Sequence, residues 1–193
     1  RFLVGHGERK LLGVANADLG AFGRELEKIG LQLRPLDLAT ETPIPTATAA
    51  LVIASPRTPL PPSEVEAILA YVKRGGTLLW LLEPDDPSGL QPLAAALGVT
   101  PLPGMVVDAD TAVLGIKNPA FIPIVDYGPH RITESLRSPT LLPQAVALEV
   151  QPSAGWTANL LLESQSRSWT ETSPIDGTLQ FDPDTPFSTF LTI

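Results

Sequence analysis

The chain opens on Arg1-Phe2-Leu3-Val4 and then breaks into Gly5-His6-Gly7-Glu8, an imidazole and a carboxylate set among glycines. An imidazole beside a carboxylate is the raw material of acid–base chemistry, and a hydroxyl within its reach would make that the chemistry of a hydrolase. The hydroxyl to consider is Ser55, in Ser55-Pro56-Arg57, with His6 as its base and Glu8 alongside. The opposing reading is that Ser followed by Pro signals a turn, and that His and Glu in such loops brace neighbouring backbone. Glu83-Pro84-Asp85-Asp86 adds carboxylates after another apolar run, and His130 stands in the stretch YGPHRIT. The candidate ligand-binding residues are therefore His6, Glu8, Ser55, Arg57, Glu83, Asp85 and His130.

Several chemistries fall away on spacing and composition. A dinucleotide fingerprint needs GxGxxG opening a helix, whereas the sixth residue from Gly5 is Lys10 and no helical pattern begins before Asp18. No GxxxxGK[ST] phosphate loop is present. Without cysteine there is no disulfide, thiolate nucleophile or Cys-ligated zinc, and any imidazole chemistry rests on His6 and His130. Asp85-Asp86 and Asp108-Ala109-Asp110 are carboxylate pairs, but neither has the ordered run of oxygen ligands around a glycine that a calcium loop requires, so turn and cap roles are expected of them. No metal or cofactor is expected. The net charge of −8, with Arg167 the only basic residue beyond Arg137, argues against a nucleic-acid partner. No window approaches the roughly eighteen apolar residues of a membrane span. The chain starts at Arg1 directly in an apolar strand, and an excised domain with further segments on either side is expected.

The elements that must position these residues alternate through the first hundred. Apolar runs at Phe2–Val4, Leu51–Ala54 and Thr77–Leu82 are separated by helical patterns, the grammar of βαβ units around a parallel sheet. Leu19, Phe22, Leu26 and Ile29 recur at steps of three and four and predict a helix buried through that face, ended by Gly30. Leu31–Leu36 reads as a peripheral strand because of Pro35. Ser63 with Glu66 predicts a capping box opening a second helix, with Val65, Ile68, Leu69 and Val72 inward and Gly75-Gly76 at its end. Leu90, Leu93, Ala94 and Leu97 mark a third. In a parallel sheet the loops bearing His6, Ser55 and Glu83 leave strands at one edge, where open α/β sheets bind ligands. After Gly98 prolines punctuate short extended pieces, with strands expected at 105–107, 112–116, 145–150, 159–162, 178–181 and 188–193. Residues 164–186 read as an exposed excursion or hairpin tip and not a separate domain. Trp80 is expected in the core, and Trp156 and Trp169 are expected to pack under loops, with exposure of one of them as the alternative.

The ordered set GHGE, VIASP, YVKRGGTLLWLLEP, YGPHRIT, LLPQAVALEV and LLLESQSRSWTET resembles the auxiliary-component family of ABC-type transport systems related to bacterial gliding motility. The resemblance implies a three-layer α/β fold with a mostly parallel central sheet, similar to flavodoxin and to class I glutamine amidotransferases and extended by antiparallel strands, and a related domain in intraflagellar transport proteins that serves in assembly. It implies residues 1–150 as the amidotransferase-like domain and 151–193 as a β-rich extension. It also implies an extracytoplasmic (periplasmic) domain, anchored to the membrane by flanking segments and partnered by permease or ATPase subunits, with any small-molecule ligand unnamed. In the amidotransferases the loop corresponding to the end of TLLWLLEP carries a nucleophilic cysteine; Glu83-Pro84 stands here, and Pro84 lacks the N–H an oxyanion hole would use. A non-catalytic auxiliary or ligand-binding domain is the expectation, ahead of an assembly platform and of a hydrolase.

Overall fold

The computed structural model describes residues 1–175 and 191–192, so the strand expected at 178–181 and most of that at 188–193 lie outside the described residues. The chain divides into two compact units, one of residues 1–82 with 86–93 and the other of residues 83–85 with 94–193.

The first unit is built on a parallel sheet in the order β2-β1-β3-β4, with β1 at Phe2–Leu3, β2 at Pro35–Leu36, β3 at Leu51–Ala54 and β4 at Leu78–Leu81. The register runs Phe2 against Pro35 and Val52, and Leu51 to Ala54 against Leu78 to Leu81. Strand β3 lies between two neighbours and is buried along its whole length, which is why it is uniformly apolar. Helix α2, Pro62–Lys73, buries Val65, Ile68, Tyr71 and Val72. Its start differs from the expected capping box. Pro61 is the N-cap and Pro62 the first helical residue, because proline's fixed φ and missing N–H suit that position; Ser63 is thereby already inside the helix and no side chain caps the end. Trp80, expected in the core, is half-buried, since β4 is an edge of this sheet.

Helix α1, Gly20–Lys28, forms where the pattern placed it, but its buried face is rotated toward Gly20 and Gly23, leaving Leu19 and Leu26 half-buried. Gly20 and Gly23 are its buried residues, and a Cβ on Gly23 would stand 2.0 Å from the Leu11 carbonyl oxygen. The helix sits directly on the 11–13 backbone through these glycines. Phe22 is therefore exposed, and Ile29, just past the helix, is 74% exposed, with Val14 in the preceding loop at 96%.

The second unit is β-rich. One antiparallel sheet has the order β10-β12-β9-β5, with β5 at Val99–Pro101, β9 at Leu148–Val150, β10 at Leu162–Glu163 and β12 at Leu191–Thr192. Two ribbons accompany it: β6 (Met105–Asp108) with β11 (Ser168–Glu171), and β7 (Phe121–Ile124) with β8 (Thr140–Pro143). Along β6 the side chains alternate between two cores, Val106 joining Ile122, Ile124 and Ala147, and Val107 joining Ala120 and Trp169. Helix α3 is Gln91–Leu97.

Two expectations change here. Residues 112–116 form successive turns rather than a strand, held by hydrogen bonds from the Val113 amide to the Asp110 carbonyl and from the Ile116 amide to the Thr111 carbonyl. The excursion from Ser164 contains β11, with Trp169 buried and Trp156 the exposed tryptophan. Strands β7 and β8 include Pro123 and Pro143, which two-stranded ribbons tolerate because each strand has an outer edge that needs no donor.

Candidate functional site

Gly5 and Gly7 take φ of +118° and +77°, and this pair of left-handed residues folds the loop after β1 back across the end of β3. Three main-chain hydrogen bonds hold it there. The Arg9 amide donates to the Ala54 carbonyl at 2.9 Å, and the Arg57 and Thr58 amides donate to the His6 carbonyl at 2.7 and 3.2 Å. The Arg57 side chain starts beside Gly7, its Cβ 3.2 Å from where a side chain on that glycine would begin.

This path delivers the His6 ring between two carboxylates. Nδ1 lies 3.4 Å from Glu8 Oε1, and Nε2 lies 3.3 Å from Glu64 Oε2. The Glu8 and Glu64 side chains are only 4% and 7% exposed and the ring 11%. The other Glu8 oxygen, Oε2, accepts from the His6 amide at 2.9 Å. Burial raises the pKa of Glu64; His6 draws it back down, and Asp37 and Glu8 push it up again. The three atoms Nδ1 of His6, Oε1 of Glu8 and Oε2 of Glu64 are buried without a well-aligned hydrogen bond.

The expected site is thus assembled in part and supplemented. His6, Glu8, Ser55 and Arg57 share the carboxyl-end rim of the parallel sheet, as the topology required. Ser55 is buried with φ +52°, and its amide donates to the Leu81 carbonyl at 3.1 Å. Glu83 and Asp85 fall in the second unit, Asp85 exposed with φ +54°. Glu64 and Asp37 were not among the expected residues. Glu64 had a legible signal, since it sits four residues before Ile68 and seven before Tyr71, a carboxylate on the apolar face of a helix. Asp37 follows β2 directly at the same rim.

His130 lies elsewhere, in a loop lining a surface depression of about 610 Å³ together with Tyr127, Arg131 and Glu134. Its Nδ1 accepts from the Ile132 amide at 3.2 Å, which leaves Nε2 to carry the proton of the neutral ring. The loop is tied by the Thr133 hydroxyl to the Gly128 and His130 carbonyls, and by the Tyr127 hydroxyl to the Ser138 carbonyl. The aspartates with expected turn roles have them: Asp86 accepts from the amide and hydroxyl of Ser88, and buried Asp108 accepts from the Asp110 amide and the Ser168 hydroxyl.

Among the described residues no helix is long and apolar enough to cross a membrane. No curated protein matches the sequence significantly. Among solved structures, the mmIFT52 N-terminal domain is similar, with a TM-score of 0.64 at 16% identity over 86% of this chain and 73% of that one, a likeness of fold alone. The model of the family described as an ABC-type uncharacterized transport system matches residues 1–191, and the chain belongs to that family, the auxiliary components of ABC-type transport systems.

Proposed function

We propose that the chain is a non-catalytic, extracytoplasmic (periplasmic) domain of such an auxiliary component, tethered beside the permease and ATPase subunits of its system. The observation that carries the non-catalytic reading is the His6 ring: each nitrogen faces a carboxylate, so neither is directed to Ser55 as a base. An oxyanion hole is also missing at Ser55, because its own amide is spent on the Leu81 carbonyl and the next residue, Pro56, has no N–H. The strand order β2-β1-β3-β4 supports a flavodoxin-like first unit, the architecture shared by class I glutamine amidotransferases. Kinship with the gliding-motility systems belongs to the same reading. A second reading, an assembly platform, is favoured by the exposed apolar side chains of Leu12, Val14, Phe22 and Ile29 around α1.

The test has two arms. Full-length protein, tagged and extracted from membranes with mild detergent, is expected to bring down the permease and ATPase subunits of one ABC system; recovery wholly in the soluble fraction without them refutes the placement. Purified chain assayed against glutamine and activated esters is expected to give background rates only. Turnover that falls about a hundredfold or more in Ser55→Ala or His6→Ala refutes the non-catalytic reading.

A further inference from the structure

The rim cluster holds more buried charge than its local backbone needs. A neutral imidazole offers one N–H and one lone pair, yet both edges of the His6 ring meet a carboxylate oxygen, at 3.4 and 3.3 Å. If Glu8 and Glu64 are both ionised and the ring is neutral, one edge must set a lone pair against a buried anion, whichever tautomer forms. One additional proton removes the conflict, whether it sits on the ring or on Glu64. A metal ion does not resolve it, because the two carboxylates meet opposite edges of the ring and no single ion reaches both.

We propose that Glu8, His6 and Glu64 form a proton-operated latch, which fastens the loop after β1 to the first turn of α2 while it holds its extra proton and releases that loop when the proton leaves. The three residues come from the two elements being joined, His6 and Glu8 from the loop and Glu64 from the third position of α2. Beside the cluster, Asp37 from the turn after β2 adds negative charge, while the Arg57 stem packs on Gly7 from the β3–α2 loop. On α2 the neighbouring carboxylate, Glu66, points to solvent. The burial that raises the Glu64 pKa acts in the direction the latch requires. Release would uncover His6, Glu8 and Glu64 at the edge of the sheet where parallel α/β folds take ligands, so acidity would govern access to that rim. The latch stands on this geometry and does not depend on which transport subunits the protein joins.

Hydrogen exchange read as protection factors between pH 5 and 9 tests it on the chain as it exists. The Arg9, Arg57 and Thr58 amides, which fasten the loop, should lose at least tenfold protection relative to Ile53 as pH rises, and Glu64→Gln, an uncharged partner of the same shape, should abolish that loss. Unchanged protection in the native sequence, or an equal pH response in Glu64→Gln, overturns the proposal. Should the variant fail to fold, nuclear magnetic resonance of the native chain decides: the ring nitrogens of His6 and the carboxyl carbon of Glu64 should shift with one common midpoint, and separate, unlinked midpoints overturn it.

Discussion

Replacing Gly23 by alanine reverses a familiar sign. In an exposed helix interior that change stabilises by about 1 kcal/mol, because glycine surrenders more backbone freedom on folding. At position 23 the new methyl would lie 2.0 Å from the Leu11 carbonyl oxygen and 2.9 Å from Leu12 Cδ2. Carbon–oxygen contacts settle near roughly 3.3 Å, so α1 must lift from the 11–13 backbone by about 1.3 Å or the loop must yield by as much. Overpacking of this kind costs about 1–3 kcal/mol. Backbone against backbone gives least, so the upper end applies. Setting about 3 against the propensity gain of about 1 leaves a net loss of roughly 2 kcal/mol for the first unit. Native-state hydrogen exchange at the Ile53 amide, in the central strand of that unit, measures the loss without requiring both units to unfold together. Ala21→Gly, on the exposed side of the same helix, is the control and should cost about 1 kcal/mol. A Gly23→Ala variant as stable as the native chain, or more so, would refute the glycine-mediated seating of α1.

Two further outcomes follow from buried carboxylates. Ser168→Ala strips a hydroxyl donor from Asp108, whose side chain is buried, and should cost about 1.5–3 kcal/mol in urea denaturation, while a loss under about 0.5 would mean that the contact carries nothing. Glu64 binds its proton more tightly in the folded chain than its ordinary value of 4.5, so its contribution to stability is greatest below that value and falls as pH rises through the folded one; the stability of Glu64→Gln relative to the native chain should therefore grow with pH above 4.5, and a constant or reversed difference contradicts the raised pKa.

The order of elements in the first hundred residues is legible because each strand there is a short apolar run and each helix has a clear stop. Leu51–Ala54 and Gly75-Gly76 show this, since a fully buried parallel strand must be uniformly apolar and a helix end wants glycine. Periodicity says which residues of a helix share a face, but not which face is buried. For α1 two glycines allow a closer approach than the leucine and phenylalanine stripe could, and close backbone contact decides. In the second half the strands SWTE and FIPI are hidden by polar residues and proline, and only their partners β6 and β8 make them strands. Of the rim cluster, His6 and Glu8 are visible as a strand-end motif. Glu64 is legible only against the apolar face it shares with Ile68 and Tyr71, because a carboxylate at a helix start is otherwise explained by the helix dipole.

Strand β2 has a consequence for how this protein keeps to itself. The Arg34 and Leu36 carbonyls accept from the Phe2 and Val4 amides, so the intervening residue, Pro35, is the one turned to the outside of the sheet. Its nitrogen has no hydrogen to offer, and its carbonyl accepts from the Arg1 guanidinium at 3.1 Å. A foreign strand approaching there finds no donor, and the one acceptor is engaged by a side chain that also holds Glu41 at 3.0 Å. This border of the sheet, the β2 one of its two, is closed by a single imino acid and one cation, which guards against strand-to-strand pairing along it.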